Sequence, residues 1–147
     1  ELAISCDLIV AAADAKFGIP ETKRGLAAAA GGLVKLPRQI PPRIALELAM
    51  TGDFIDSQRA YALGLINEVT PSGGALDAAK ALAARIAANG PLAVAASKRV
   101  VLESGDWSHA DMWAKQLEIV NPVFTSEDAI EGSVAFVEKR APNWVNK

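Results

Sequence analysis

The sequence predicts an α/β fold in which short strands are confined to the first half and the remainder is helical. Two observations carry that expectation. Up to about residue 70, short apolar runs bounded by turn residues, the pattern of strands, alternate with helical segments. Beyond Pro71-Ser72-Gly73-Gly74, the clearest linker in the chain, apolar residues mark faces at the three- and four-residue spacing of helices. The chain is therefore expected to divide near Gly73, into residues 1–73 of mixed α/β character and residues 74–147 of helices.

The elements follow in order. Glu1 to Cys6 is short, rich in helix formers, and reads as the tail of a helix. Leu8-Ile9-Val10-Ala11-Ala12 lies between Asp7 and Asp14 as a continuous apolar run, the signature of a buried strand. Ala13-Asp14-Ala15 is a turn and Lys16 to Ile19 a second, shorter strand, which Pro20 ends by disfavouring helix at the residue before it. Gly25 to Gly32 is a run of glycine, leucine and alanine. Taken alone, it fits an ordinary helix with tight neighbours better than a backbone approaching a ligand, and it holds no dinucleotide fingerprint.

Leu33 to Leu36 leads to Pro37. Pro41-Pro42 then opens a helix over Ile44–Met50, which Thr51-Gly52-Asp53 ends. Asp56 caps a helix over Ser57–Leu63, Gly64 stops it, and Leu65–Val69 is a short strand. In the helical half, Leu76, Ala79, Leu82, Ala83 and Ile86 form one apolar face, and Leu92, Ala95, Ala96 and Val100 a second. Ala110, Trp113, Leu117 and Val120 form a third, ending before Pro122. Thr125 and Asp128 resemble a capping box for a last helix with Ile130, Val134 and Val137 on one side.

Composition excludes several functions. With 147 residues, 51% of them hydrophobic, there is material for a core, and a net charge of −2 supplies no field to hold nucleic acid. No apolar run is long enough to span a membrane. One cysteine, Cys6, cannot form an internal disulfide, which fits a reducing, cytoplasmic setting; its apolar neighbours suggest a small buried hydrophobe. With one histidine, His109, in a polar helix start, there is no credible zinc site or Cys/His dyad. Trp107, Trp113 and Trp144 read as packing residues. The chain opens on Glu1 without an initiator methionine or a signal-like segment, and so reads as the interior of a longer sequence.

Two glutamates stand out: Glu1, opening Glu-Leu-Ala-Ile-Ser-Cys-Asp, and Glu21, closing Phe17-Gly18-Ile19-Pro20-Glu21. A strand and a turn between them can fold back and bring both carboxylates to one place, where mutual repulsion keeps one protonated and the other charged. Either glutamate alone would read as a solvated surface residue. Their flanks change that. Glu-Leu-Ala-Ile-Ser-Cys-Asp-Leu-Ile-Val-Ala and Lys16-Phe17-Gly18-Ile19-Pro20-Glu21 resemble the two catalytic segments of the enoyl-CoA hydratase (crotonase) family. So do Thr51-Gly52-Asp53 and Ala60–Val69 its gateway helix and strand. Ser126-Glu127-Asp128-Ala129, Glu131-Gly132 and Ala135–Arg140 resemble its C-terminal helix.

The resemblance covers essentially the whole chain and implies the second half of a crotonase-like spiral fold, followed by a helical oligomerisation region that builds trimers and dimers of trimers. It implies a trans-2-enoyl-CoA thioester as substrate and no separate cofactor, coenzyme A being part of the substrate. By resemblance Glu1 activates the water that adds to the β-carbon, and Glu21 holds that water and protonates the α-carbon. Retention of both glutamates favours hydratase over the alternative, an isomerase, which needs a single proton shuttle; a third reading is a non-catalytic oligomerising piece. Two backbone N–H groups that receive the thioester oxygen, and most of the CoA pocket, would lie upstream of Glu1, so that the chain taken alone is expected to be inactive. Where many hydratases carry proline and glycine, this chain has Ala28 and Ala29, and the methyl of Ala29 narrows the space near the water. Phe136 and Lys139 match positions that line the CoA channel and meet a CoA phosphate.

Overall fold

The computed structural model describes residues Glu1–Lys147, which separate into two compact units, Glu1–Leu82 and Ala83–Lys147. The division falls inside a helix, beyond the glycine turn at residues 71–74. No helix is long and apolar enough to cross a membrane.

The first unit is organised by two small strand pairs. β1 (Val10–Ala12) runs parallel to β4 (Glu68–Thr70), with Ala11 opposite Val69; β2 (Lys16–Phe17) runs antiparallel to β3 (Ile55–Asp56). Between them come α1 (Gly32–Gln39), α2 (Pro42–Thr51) and α3 (Ser57–Ala62). Asn67 lengthens the parallel pair by one residue, since its side-chain oxygen accepts from the Ile9 N–H at 2.8 Å and its own N–H donates to the Ile9 carbonyl at 2.7 Å. Fully buried Ser57 donates from Oγ to the carbonyls of Ala12 (2.6 Å) and Ala15 (3.1 Å), pinning the start of α3 to the turn after β1. Around these pairs Ile4, Ile19, Leu36, Leu48, Ile55 and Ile66, with smaller alanines, make the core.

The predicted capping residues act as expected. Asp56 accepts from the Arg59 N–H at 2.7 Å, Pro42 is the first residue of α2, and Gly52 and Gly64 take left-handed backbone angles after α2 and α3. Other expectations are corrected. The opening segment is a single 3₁₀ turn, Ala3–Ser5, which directs Ile4 into the core and leaves Cys6 exposed. Leu8 is also exposed, because β1 has one neighbouring strand and its pairing begins later in the run. The second strand stops at Phe17, and Ile19 turns into the core instead. Leu65 and Ile66 are buried ahead of β4 rather than within it.

Residues 26–31 are not helical: Gly25 and Gly31 hold positive φ, and helix begins only at Gly32. Pro37 and Pro122 do not stop their helices. Each helix continues two residues further, because a proline in the last turn removes one N–H and leaves the following amides their partners.

The helical remainder comprises α4 (Ala75–Ala87), α5 (Pro91–Glu103), α6 (Met112–Phe124) and α7 (Glu127–Glu138). Ser126, not Thr125, caps α7, its Oγ accepting from the Ala129 N–H at 3.0 Å. Asp128 is buried and receives the backbone N–H groups of Val145 and Asn146, tying the last residues to the helix. Trp144 packs on Gly90 and Gly132 and donates to the Ala88 carbonyl at 2.9 Å, while His109 is exposed in the turn before α6.

Arg140 grips Glu131 with both terminal nitrogens (2.6 and 2.9 Å), and the Asn143 N–H adds a third bond at 2.7 Å. The Arg140 hydrogen bonds first, then the Asn143 amide, hold the Glu131 carboxyl at about 2, down from its usual 4.5. A carboxyl depressed on folding stabilises the folded state above its unfolded pKa and loses that contribution as pH falls toward its folded pKa. Glu131→Gln should therefore lower the thermal midpoint above pH 4.5, and the gap from the parent should close as pH falls from 4.5 toward about 2. Thermal melts across that range check it; a gap independent of pH would rule out the carboxylate as its source.

Candidate functional site

Glu1 and Glu21 both belong to the first unit, and each is held by a different device. Helix α1 begins at Gly32 behind Gly31, whose φ of 112° only glycine adopts readily and which offers no side chain to cap the helix. The Glu1 carboxylate supplies that cap from elsewhere in the chain: Oε1 accepts the Gly32 N–H at 2.8 Å. An acidic group is favoured there, since the first amides of a helix point outward unpaired and carry the positive end of its dipole. The approach is close. A Cβ on Gly32 would lie 3.1 Å from Glu1 Oε1 and 3.1 Å from the Ala28 Cβ, so the methyl of buried Ala28, the glycine and the carboxylate share one small space. The helix start thus engages one of the two carboxylate oxygens.

Glu21 lies on a 3₁₀ turn, Pro20–Arg24, which Pro20 opens and left-handed Gly25 closes. That turn rests on the end of α2. A Cβ on Gly52 would come within 3.0 Å of Lys23 Cγ and Thr22 Oγ1, and one on Gly18 within 2.8 Å of the Phe54 ring. Lys23 also pairs with Asp53 at 2.6 Å, and the hydrogen bond from Lys23 lowers the Asp53 pKa. So Thr51-Gly52-Asp53, recognisable in the sequence, is the seat of the Glu21 segment. Glu21 Oε2 is buried and has no hydrogen-bond partner. The large majority of buried side-chain polar atoms are satisfied, and one that is not calls for an explanation, whether strain, a catalytic role or a bound water or ion.

An apolar cavity of about 310 Å³ lies beside the start of α1, lined by Ile19, Gly32, Leu33, Leu36, Ala45 and Leu46; neither Glu1 nor Glu21 lines it. Of the remaining sequence candidates, Ala29 is exposed and opens the turn before α1. Phe136 and Lys139 belong to the second unit. Phe136 is 84% exposed on α7 beside a groove of about 600 Å³ that Phe124, Val137 and Trp144 also line, and Lys139 holds a left-handed conformation just past the helix.

Sequence reasoning missed Gly32 as the partner of Glu1. It missed Ser5, Lys35 and Gln39 as well, which bind residues of the same opening turn. The available signal was the pair Gly31-Gly32, which is disfavoured in a helix interior and so marks a helix boundary.

The sequence profile of enoyl-CoA hydratase/isomerase matches residues 1–147. Enoyl-CoA hydratase EchA19 of Mycobacterium tuberculosis is 44% identical over all of this chain and 55% of its own length. Carnitinyl-CoA dehydratase of Proteus mirabilis is 38% identical over 98% of the chain and 57% of its own. The crystal structure of enoyl-CoA hydratase from M. tuberculosis H37Rv superposes with a TM-score of 0.98 at 57% identity, covering 99% of this chain and 58% of that one. The chain thus spans a little over half the length of these relatives, and its α/β architecture is the crotonase fold they share.

The seat of the Glu21 turn can be tested by pairing two substitutions. Gly52→Ala and Gly64→Ala both force a left-handed alanine, at about 1–2 kcal/mol. Only Gly52 also faces atoms at 3.0 Å, since nothing lies within 4 Å of a Cβ on Gly64. Chemical denaturation should show the larger loss for Gly52→Ala. Equal losses would mean that the contact with Thr22 and Lys23 is not tight.

Proposed function

The chain belongs to the enoyl-CoA hydratase/isomerase family, and from that premise we propose that the whole protein is an enoyl-CoA hydratase, with Glu1 and Glu21 as its acid–base pair. The observation that carries the reading is the buried, unpartnered Oε2 of Glu21, in the same unit as the Glu1 carboxylate that caps α1. In the proposed reaction Glu1 takes a proton from water as its oxygen bonds to the β-carbon of a trans-2-enoyl-CoA. The α-carbon then receives a proton from Glu21. The transient negative charge on the thioester oxygen needs backbone N–H donors, which the family resemblance assigns to sequence upstream of Glu1. The naming of one relative as a dehydratase supports the same chemistry run in reverse.

Phe136 and Lys139 are proposed to meet the coenzyme A portion, and Ala29 to limit the space beside the water. We also propose that the helical half joins copies into trimers or hexamers. Supporting this, Val101, Trp113, Phe124 and Val137, all in the helical half, are each more than 60% exposed. A stable monomer of the whole protein in sedimentation at micromolar concentration would overturn that assembly.

Glu21→Gln keeps the shape of the side chain and removes its exchangeable carboxyl proton. Hydration of a short enoyl-CoA should fall by about 100-fold or more, the scale of general acid–base contributions, while substrate affinity changes far less. Turnover near the parent rate would refute the role of Glu21. Loss of hydration in Glu1→Gln with double-bond migration retained would favour the isomerase.

A further inference from the structure

Three groups on one face of α1 reach back to the turn that opens the chain. At 3.6 residues per turn, Gly32, Lys35 and Gln39 fall within an arc of roughly 60°. The Gly32 N–H meets Glu1 Oε1, Lys35 Nζ donates to Ser5 Oγ at 2.8 Å, and Gln39 Nε2 donates to the Ile4 carbonyl at 2.9 Å. Ser5 passes its contact on: its hydroxyl donates to the Glu1 carbonyl at 2.7 Å. It does so because the 3₁₀ turn commits the Ser5 amide to Leu2, leaving the Glu1 carbonyl without the amide an α-helix would supply. Ile4 between them is buried in the core, so the turn is fixed by one apolar anchor and two polar straps.

From this geometry we infer that Lys35 and Gln39 are positioning residues for Glu1, holding the turn against α1 so that the carboxylate stays on the Gly32 N–H. Neither reaches the carboxylate itself. Lys35 acts through Ser5 on the Glu1 backbone, and Gln39 acts through Ile4. The inference rests on the reading of Glu1 as a catalytic carboxylate. A displacement of about 1 Å in such a group costs on the order of 100-fold in rate, so small slack in the straps is felt in the chemical step.

The test uses the whole protein with crotonyl-CoA as substrate. Lys35→Met and Gln39→Met keep stem length and remove the donors. Together they should lower kcat by about 10- to 100-fold with KM little changed. Lys35→Met alone, at an exposed site, should give part of that loss with the fold intact by circular dichroism, and Lys35→Arg, which keeps a donor, should recover most of it. A normal kcat in both Met variants would overturn the inference. So would a loss shared by KM or one that Lys35→Arg fails to recover, since each is what a general structural defect produces. Glu1→Gln, measured alongside, separates the two claims: if it leaves kcat unchanged, the reading of Glu1 falls and this inference with it. If it lowers kcat while the Met variants do not, only the positioning role falls.

Discussion

Parallel strands cannot be joined by a tight turn, and that constraint shapes the first unit. To lie beside β1, β4 must be reached by a crossover, and the crossover contains β2, α1, α2, β3 and α3. The Glu1 carboxylate meets it at Gly32, and the Glu21 turn lies within it. The pairing is short, so side chains extend it: Asn67 adds a rung at Ile9 and Ser57 fastens α3 to the carbonyls beyond β1. A buried hydroxyl with its targets in place stabilises modestly, whereas its removal would take a donor from the Ala15 carbonyl and leave the Ala12 carbonyl only the Ala15 N–H. The site therefore depends on polar groups that have no part in its chemistry.

The two carboxylates are treated differently by the fold. Glu1 is tied by one oxygen to a helix start that would otherwise lack a cap, and its turn is strapped to the flank of the same helix. Glu21 is placed by its backbone, through glycines that let two segments approach at van der Waals distance, and its Oε2 is left buried without a partner. One is oriented by hydrogen bonds, the other by packing. The exposed ion pairs nearby, Lys23–Asp53 and Arg59–Glu47, contribute little to stability by comparison with the apolar core, because solvent screens them.

Local chemistry was legible where a residue acts on its immediate neighbours. The Asp56 cap, Pro42 at the first position of α2, and the stops at Gly52 and Gly64 each depend on a few adjacent backbone groups. Proline was over-read: Pro37 and Pro122 lie in last turns, where the loss of one amide is tolerated. Burial was read less well. Cys6 and Leu8 have apolar neighbours in sequence yet face outward, because a 3₁₀ turn and a two-stranded sheet offer fewer covered positions than a helix and a full sheet.

The sequence by itself determined the family, since its motifs, two glutamates in recognisable flanks among them, need only be read in order. It also determined much of the order of strands and helices, through hydrophobic period and turn residues, but neither β3 nor the non-helical residues 26–31. Only the tertiary structure decided what each carboxylate touches. The partner of Glu1 is a backbone amide 31 residues away, and an amide leaves no mark in a sequence beyond the glycine that carries it. The straps from Lys35 to Ser5 and from Gln39 to Ile4 join ordinary surface residue types, distinguished only by the face of α1 on which they fall and by the turn brought against that face. Contacts of that kind arise when the core closes, and no local pattern encodes them.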